Sequence, residues 1–148
     1  HPDTPNRLVH MDHLKAKVDA GADWICSQLF FDNRAFFDWV ERCELKGINT
    51  PTFAGIMPIT SIPNMQRMAE LAGGTNFPAA LQKRLQRFQD DPEAVKRIGI
   101  GWAAEQCADL LDKNVKGIHF YTMNQSQATE EIYRSLGVSE GSSLRQSQ

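Results

Sequence analysis

Cysteine occurs only three times in 148 residues, at Cys26, Cys43 and Cys107. The number is odd and no C-x-x-C spacing is present, which argues against a disulfide framework and a thiolate zinc site. Unpaired cysteine packs as a small hydrophobe, so reduced core thiols are expected. No apolar run approaches the ~20 residues that span a bilayer, so no membrane partner is expected. A dominant charge is missing too: 16 Lys+Arg against 18 Asp+Glu leave a formal net charge of -2. Nucleic acid is disfavoured as a partner, because nothing attracts polyphosphate globally. The reduced thiols point to a cytoplasmic protein, and a chain that starts at His1 with no initiator methionine, basic n-region or apolar h-region shows no signal peptide and is expected to lack its true N-terminus. There is no P-loop, no H-E-x-x-H and no nucleophile elbow. No G-x-G-x-x-G follows any apolar run, which weakens the doubly wound dinucleotide-binding fold.

What is present is an ordinary globular composition, 41% hydrophobic and 23% charged, in a length that allows one domain or a piece of one. Leu8, Met11, Leu14 and Val18 recur at spacings of three and four, the stripe of an amphipathic helix, and Gly21 stops it. The run from Trp24 to Phe31 is nearly continuous in apolar residues and predicts a strand covered on both faces. Asp32 and Asn33 offer N-caps for a helix carrying Phe36, Phe37, Val40 and Cys43 and ending near Gly47. A second strand, Thr52 to Met57, is closed by Pro58. Helices are predicted over about Pro63 to Ala72, Pro78 to Phe88 and Pro92 to Leu111, the last two opened by proline in the first turn. A third strand, Ile118 to Thr122, and a helix from Ser126 to Leu136 complete the series before a polar tail.

Helices alternating with apolar strands imply a parallel α/β sheet. Three strands alone would leave two long unpaired edges. The fold class expected is therefore α/β, a partial (βα)8 TIM barrel with about its last three strands and their helices, since a closed barrel takes ~250 residues.

In such a barrel the chemistry sits at the C-terminal ends of strands. Gln28 is predicted to share a strand face with Trp24, Cys26 and Phe30, where an unpartnered amide costs about 1–3 kcal/mol. A ligand with a donor and an acceptor would satisfy it, and so would neighbouring barrel side chains. After the second strand, Gly55-Ile56-Met57-Pro58-Ile59-Thr60-Ser61 fixes the chain direction, and Thr60 or Ser61 can cap the next helix. Met65 and Met68 are either core or an adaptable wall for a flat ligand. His119 and Tyr121 point to one face, with His119 either a core histidine or a site residue. His10, His13 and Lys17 fall at i, i+3 and i+7 on one helix face, which suits either a phosphate or open solvent. No converging carboxylate or thiolate accompanies them, and no metal is expected.

The stretches His1-Pro2-Asp3, His13-Leu14-Lys15-Ala16-Lys17-Val18-Asp19-Ala20-Gly21-Ala22-Asp23 and Ser27-Gln28-Leu29-Phe30-Phe31-Asp32 resemble the methylenetetrahydrofolate reductase family. Gly55-Ile56-Met57-Pro58-Ile59 resembles its G-I-x-P-I segment, and His119-Phe120-Tyr121-Thr122-Met123-Asn124 its H-F-Y-T-L-N. The resemblance implies residues 1–137 as the C-terminal half of a flavin-binding barrel, and the polar composition of 138–148 predicts a disordered tail. It further implies a ping-pong flavoenzyme in which NADH or NADPH reduces FAD and is then replaced by 5,10-methylenetetrahydrofolate, giving 5-methyltetrahydrofolate for methionine biosynthesis. A homo-oligomer is implied for the full-length protein.

By the same resemblance, His1 and Lys17 match FAD-contacting positions and His13 a third. His10 stands where the family usually has Asp, which exchanges an acceptor for imidazole. Gln28 matches a glutamine that contacts folate and nicotinamide. Asn64 stands at a substrate-facing position that is glutamine in some relatives, and Met68 where some have an aromatic ring. Gln125 replaces an arginine, so a charge-assisted bond to substrate is lost. The family's general acid, a glutamate on the first strand, and its flavin-tuning aspartate after the fourth have no counterpart here, so the chain alone is expected to be inactive. Two other readings are a flavin barrel of proline dehydrogenase type, prompted by His10 and Gln125, and a non-catalytic fragment that pairs through its sheet edges.

Overall fold

A computed structural model describes residues 14–71, 76–121 and 126–136, with backbone alone at 71, 126, 127 and 133. The elements run α1 (residues 14–19), β1 (Ile25–Leu29), α2 (Asn33–Leu45), β2 (Thr52–Ile56), α3 (Ile62–Leu71), α4 (Ala79–Arg87), α5 (Pro92–Asp112), β3 (Ile118–Phe120) and α6 (Ser126–Ser135). The strands form one parallel sheet in the order β1-β2-β3. The predicted tail and the helix segment before residue 14 lie outside the described residues.

Local chemistry accounts for the boundaries. The Asp32 carboxylate accepts from the Arg34 amide at 2.9 Å and caps α2, and Gly47 leaves that helix at φ 81, a conformation that costs glycine little. Asp91 caps α5 through the Ala94 amide at 3.2 Å, with Pro92 in its first turn. Pro78 sits one position earlier than predicted, as the N-cap residue of α4.

One sheet face is fully packed. Ala54, Ile56 and Ile118 meet Ile100, Ala103, Cys107 and Leu110 of α5, Ala128 and Ile132 of α6, and Phe30 and Phe36. The α5 stripe repeats every three or four residues, which is why a 21-residue helix can lie along the sheet. Leu81 and Leu85 of α4 are 0% and 1% exposed, and each contributes roughly 1.5–3 kcal/mol of burial. Ile25 joins Cys43 and Ile48 beneath Leu14 and Val18 of α1.

The opposite face differs from the expectation of double coverage. Trp24 is 49% exposed there, and Gln28 and His119 are exposed. Apolar content predicted burial of both faces, but among the described residues the helices cover only one.

Candidate functional site

The uncovered face is built from alternate residues of the strands. Cys26 pairs with Phe53, and Gly55 with His119. Trp24 stacks on Phe53 at 4.9 Å between centroids, and His119 meets Tyr121 edge-on at 4.7 Å. Gly117 makes room for Phe53, since a Cβ there would come within 2.9 Å of its ring. His119 and Tyr121 share this face, as the strand period required.

At Gln28 the strand period breaks. Cys26 pairs with Phe53 but Leu29 with Gly55, so β1 carries one residue more than β2 across this interval. Such a bulge reverses the facing of every residue beyond it. Leu29 therefore lies with Tyr121 and Met57, while Phe30 goes to the covered face with Ile56. The predicted common face of Trp24, Cys26, Gln28 and Phe30 is corrected accordingly: Phe30 is not on it.

Side chains replace the ladder contacts displaced by the bulge. The Ser27 hydroxyl accepts from the Gly55 amide at 2.9 Å and donates to the Gln28 carbonyl at 2.9 Å. The Tyr121 hydroxyl donates to the Ser27 carbonyl at 3.1 Å and lies 3.5 Å from the Cys26 sulfur. Burial, with the contact to Cys26, pushes the Tyr121 phenol well above its ordinary range, and burial raises the Cys26 thiol. Both groups stay protonated near neutrality, so Tyr121 is a donor.

At the end of β2, Met57 and Ile59 are buried. Ser61 rather than Thr60 caps α3, accepting from the Asn64 amide at 3.1 Å, while the Asn64 side-chain oxygen accepts from the Thr60 amide at 3.1 Å. This reciprocal arrangement fixes Asn64 and commits its oxygen to the backbone. Met68 is 0% exposed among Phe31, Met57, Ile59, Leu81, Leu85 and Val95.

The turn after β1 is tied to α5. Trp102 donates its indole N–H to the Phe31 carbonyl at 2.8 Å, and Gln106 donates to the Phe30 carbonyl at 3.1 Å. Asn33, a predicted cap, instead donates to Asp109 at 2.8 Å and to the Gln106 carbonyl at 3.1 Å. Those bonds, with Lys113 nearby, hold the Asp109 carboxyl below its usual range.

Lys17 is exposed on α1. His1, His10, His13 and Gln125 lie outside the described residues. Sequence reasoning missed Ser27, Trp102 and Gln106. The available signal was a hydroxyl or amide inside an apolar stretch, with no indication of its partner.

Sequential parallel strands with helices packed on one face define a segment of a (βα) barrel. The family model for methylenetetrahydrofolate reductase matches residues 1–137. The chain belongs to that family, and its three strands form part of a TIM barrel. It is 40% identical over 135 residues to "Methylenetetrahydrofolate reductase (NADH) 1" of Arabidopsis thaliana, covering 91% of this chain and 23% of that protein. It is 37% identical over 139 residues to "Probable methylenetetrahydrofolate reductase (NADPH)" of Caenorhabditis elegans, covering 93% and 21%. To "5,10-methylenetetrahydrofolate reductase" of Escherichia coli it is 30% identical over 141 residues, covering 95% of this chain and 47% of that protein. The chain thus spans between about a fifth and about a half of these relatives.

Proposed function

We propose that residues 1–137 supply the second half of the catalytic barrel of a cytoplasmic, homo-oligomeric, FAD-dependent reductase. It converts 5,10-methylenetetrahydrofolate to 5-methyltetrahydrofolate with NADH or NADPH, in one-carbon metabolism and methionine biosynthesis. The observation that carries this reading is Gln28, exposed at the carboxyl end of β1 inside the region matched by the family.

The residues fit a flat, hydrogen-bonding group with phosphates. Gln28 and His119 present exposed polar side chains from β1 and β3, and Lys17 offers an exposed ammonium. His1 and His13 add donors to the same cofactor, and His10 adds imidazole in place of a carboxylate. FAD, when bound, supplies the hydride relay between the two substrates.

The Gln28 amide has a donor and an acceptor, so it pairs with the nicotinamide carboxamide in one half-reaction and the pterin edge in the other. Asn64 supports the folate side with its amide nitrogen, because its oxygen is held by Thr60. Met68 backs that wall from the core, and Gln125 provides a neutral hydrogen bond where a charged one would be stronger. The proton for ring opening comes from a general acid elsewhere in the barrel.

The test is product analysis with the full-length protein. Given NADH and methylenetetrahydrofolate, 5-methyltetrahydrofolate is expected in proportion to NADH consumed. NADH consumption without that product would reject the reading.

A further inference from the structure

The backbone on both sides of Gln28 is held by side chains that do not belong to the substrate site proposed above. Its preceding peptide accepts from the Tyr121 hydroxyl at 3.1 Å, and its following peptide accepts from the Ser27 hydroxyl at 2.9 Å. Ser27 is itself anchored to β2 through the Gly55 amide at 2.9 Å. Gly55 is what allows the three strands to converge here. A Cβ at that position would lie 2.6 Å from the Tyr121 ring, 2.7 Å from the Ser27 carbonyl and 3.4 Å from the Gln28 carbonyl. The result is a bulge with both flanking carbonyls of Gln28 occupied, next to an exposed amide side chain. Bulges placed this way re-aim a side chain.

We propose that Tyr121 and Ser27 are positioning residues that set the orientation of the Gln28 amide toward folate and nicotinamide. Tyr121 acts from the third strand, Ser27 from within the bulge, and Gly55 gives them room. The proposal rests on Gln28 being a substrate-contacting residue. It adds that the contact is prepared by a β1-to-β3 clamp rather than by packing around the Gln28 side chain. A side chain aimed from a fixed backbone loses less freedom on binding than one on a free strand end.

The experiment is a double-mutant cycle in the full-length enzyme, with Tyr121→Phe, Gln28→Ala and the pair. Phenylalanine keeps the ring over Gly55 and removes only the hydroxyl. Tyr121→Phe is expected to raise the KM for methylenetetrahydrofolate roughly three- to tenfold, the effect of one lost hydrogen bond. In the Gln28→Ala background the same change is expected to leave KM where Gln28→Ala alone puts it. Ser27→Ala is the second variant, with the same pattern expected, and flavin absorbance of each purified variant reports whether the site has assembled. Additive effects, or no effect of Tyr121→Phe where Gln28→Ala has a large one, would overturn the positioning role while leaving the functional reading intact. If Gln28→Ala itself changes neither half-reaction, Gln28 does not contact substrate and the proposal falls, while the reductase reading stands on the 5-methyltetrahydrofolate formed.

Discussion

Gly99 of α5 lies directly against the Ile59 carbonyl, so closely that a Cβ on Gly99 would collide with that oxygen. The contact seats the Met57–Ile59 segment, and with it the capped start of α3, against the long helix. Gly99→Ala forces backbone apart from backbone, and its cost is expected at about 3 kcal/mol or more. The urea midpoint measures this. Gly101, where an added Cβ would meet nothing within 4 Å, is the control, and Gly101→Ala is expected to be neutral or slightly stabilising.

Trp102 holds the turn after β1 through a single bond, its indole N–H to the Phe31 carbonyl at 2.8 Å. Trp102→Phe leaves that carbonyl without its partner while keeping an aromatic ring in place. A loss of about 1 kcal/mol is expected in the same denaturation assay. No change would mean that Gln106 and Asn33 alone hold the turn.

The buried thiols make stability pH-dependent. Burial pushes Cys107 up to about 12 and Cys43 up to about 11, from an ordinary 9.0. Above the ordinary value the unfolded chain releases thiol protons that the folded chain keeps, so the unfolded state binds fewer protons and stability falls as pH rises. The contribution is complete below about pH 9 and is lost as pH climbs toward the folded values. Urea midpoints at about pH 8 and about pH 10.5 should differ less in Cys107→Ala than in the parent. An equal drop in both would show that Cys107 does not ionise on unfolding.

Gln125 stands where the resemblance implies arginine. Gln125→Arg in the full-length protein is expected to lower the KM for methylenetetrahydrofolate about fivefold by restoring a charge-assisted bond. An unchanged or higher KM would show that this position does not face the substrate.

Much of the fold could be read from residue patterns, because apolar runs bounded by glycine and proline report strands directly. The Trp24–Phe31 run located β1, and the helical pattern opened by Pro92 located α5. Coverage was less legible, since the pattern shows that Trp24 is apolar but not whether anything lies over it. The bulge was hidden for a different reason. Counting by two along one strand cannot show an extra residue relative to its neighbour, so Phe30 was assigned to the wrong face. Gln28 stood out as an amide in an apolar stretch, but the groups that hold it come from Tyr121, 94 residues from Ser27. Met68 illustrates the reverse case: helical spacing shows which face it is on but not how deeply it packs, and it lies fully buried.

Flavin-dependent reduction of methylenetetrahydrofolate is tested most directly by the visible spectrum of the full-length protein, followed anaerobically through addition of NADH and then methylenetetrahydrofolate. A flavin spectrum that bleaches with NADH and returns with the folate is the predicted result. A folded protein without flavin, or a reduced flavin that the folate does not reoxidise, would contradict it.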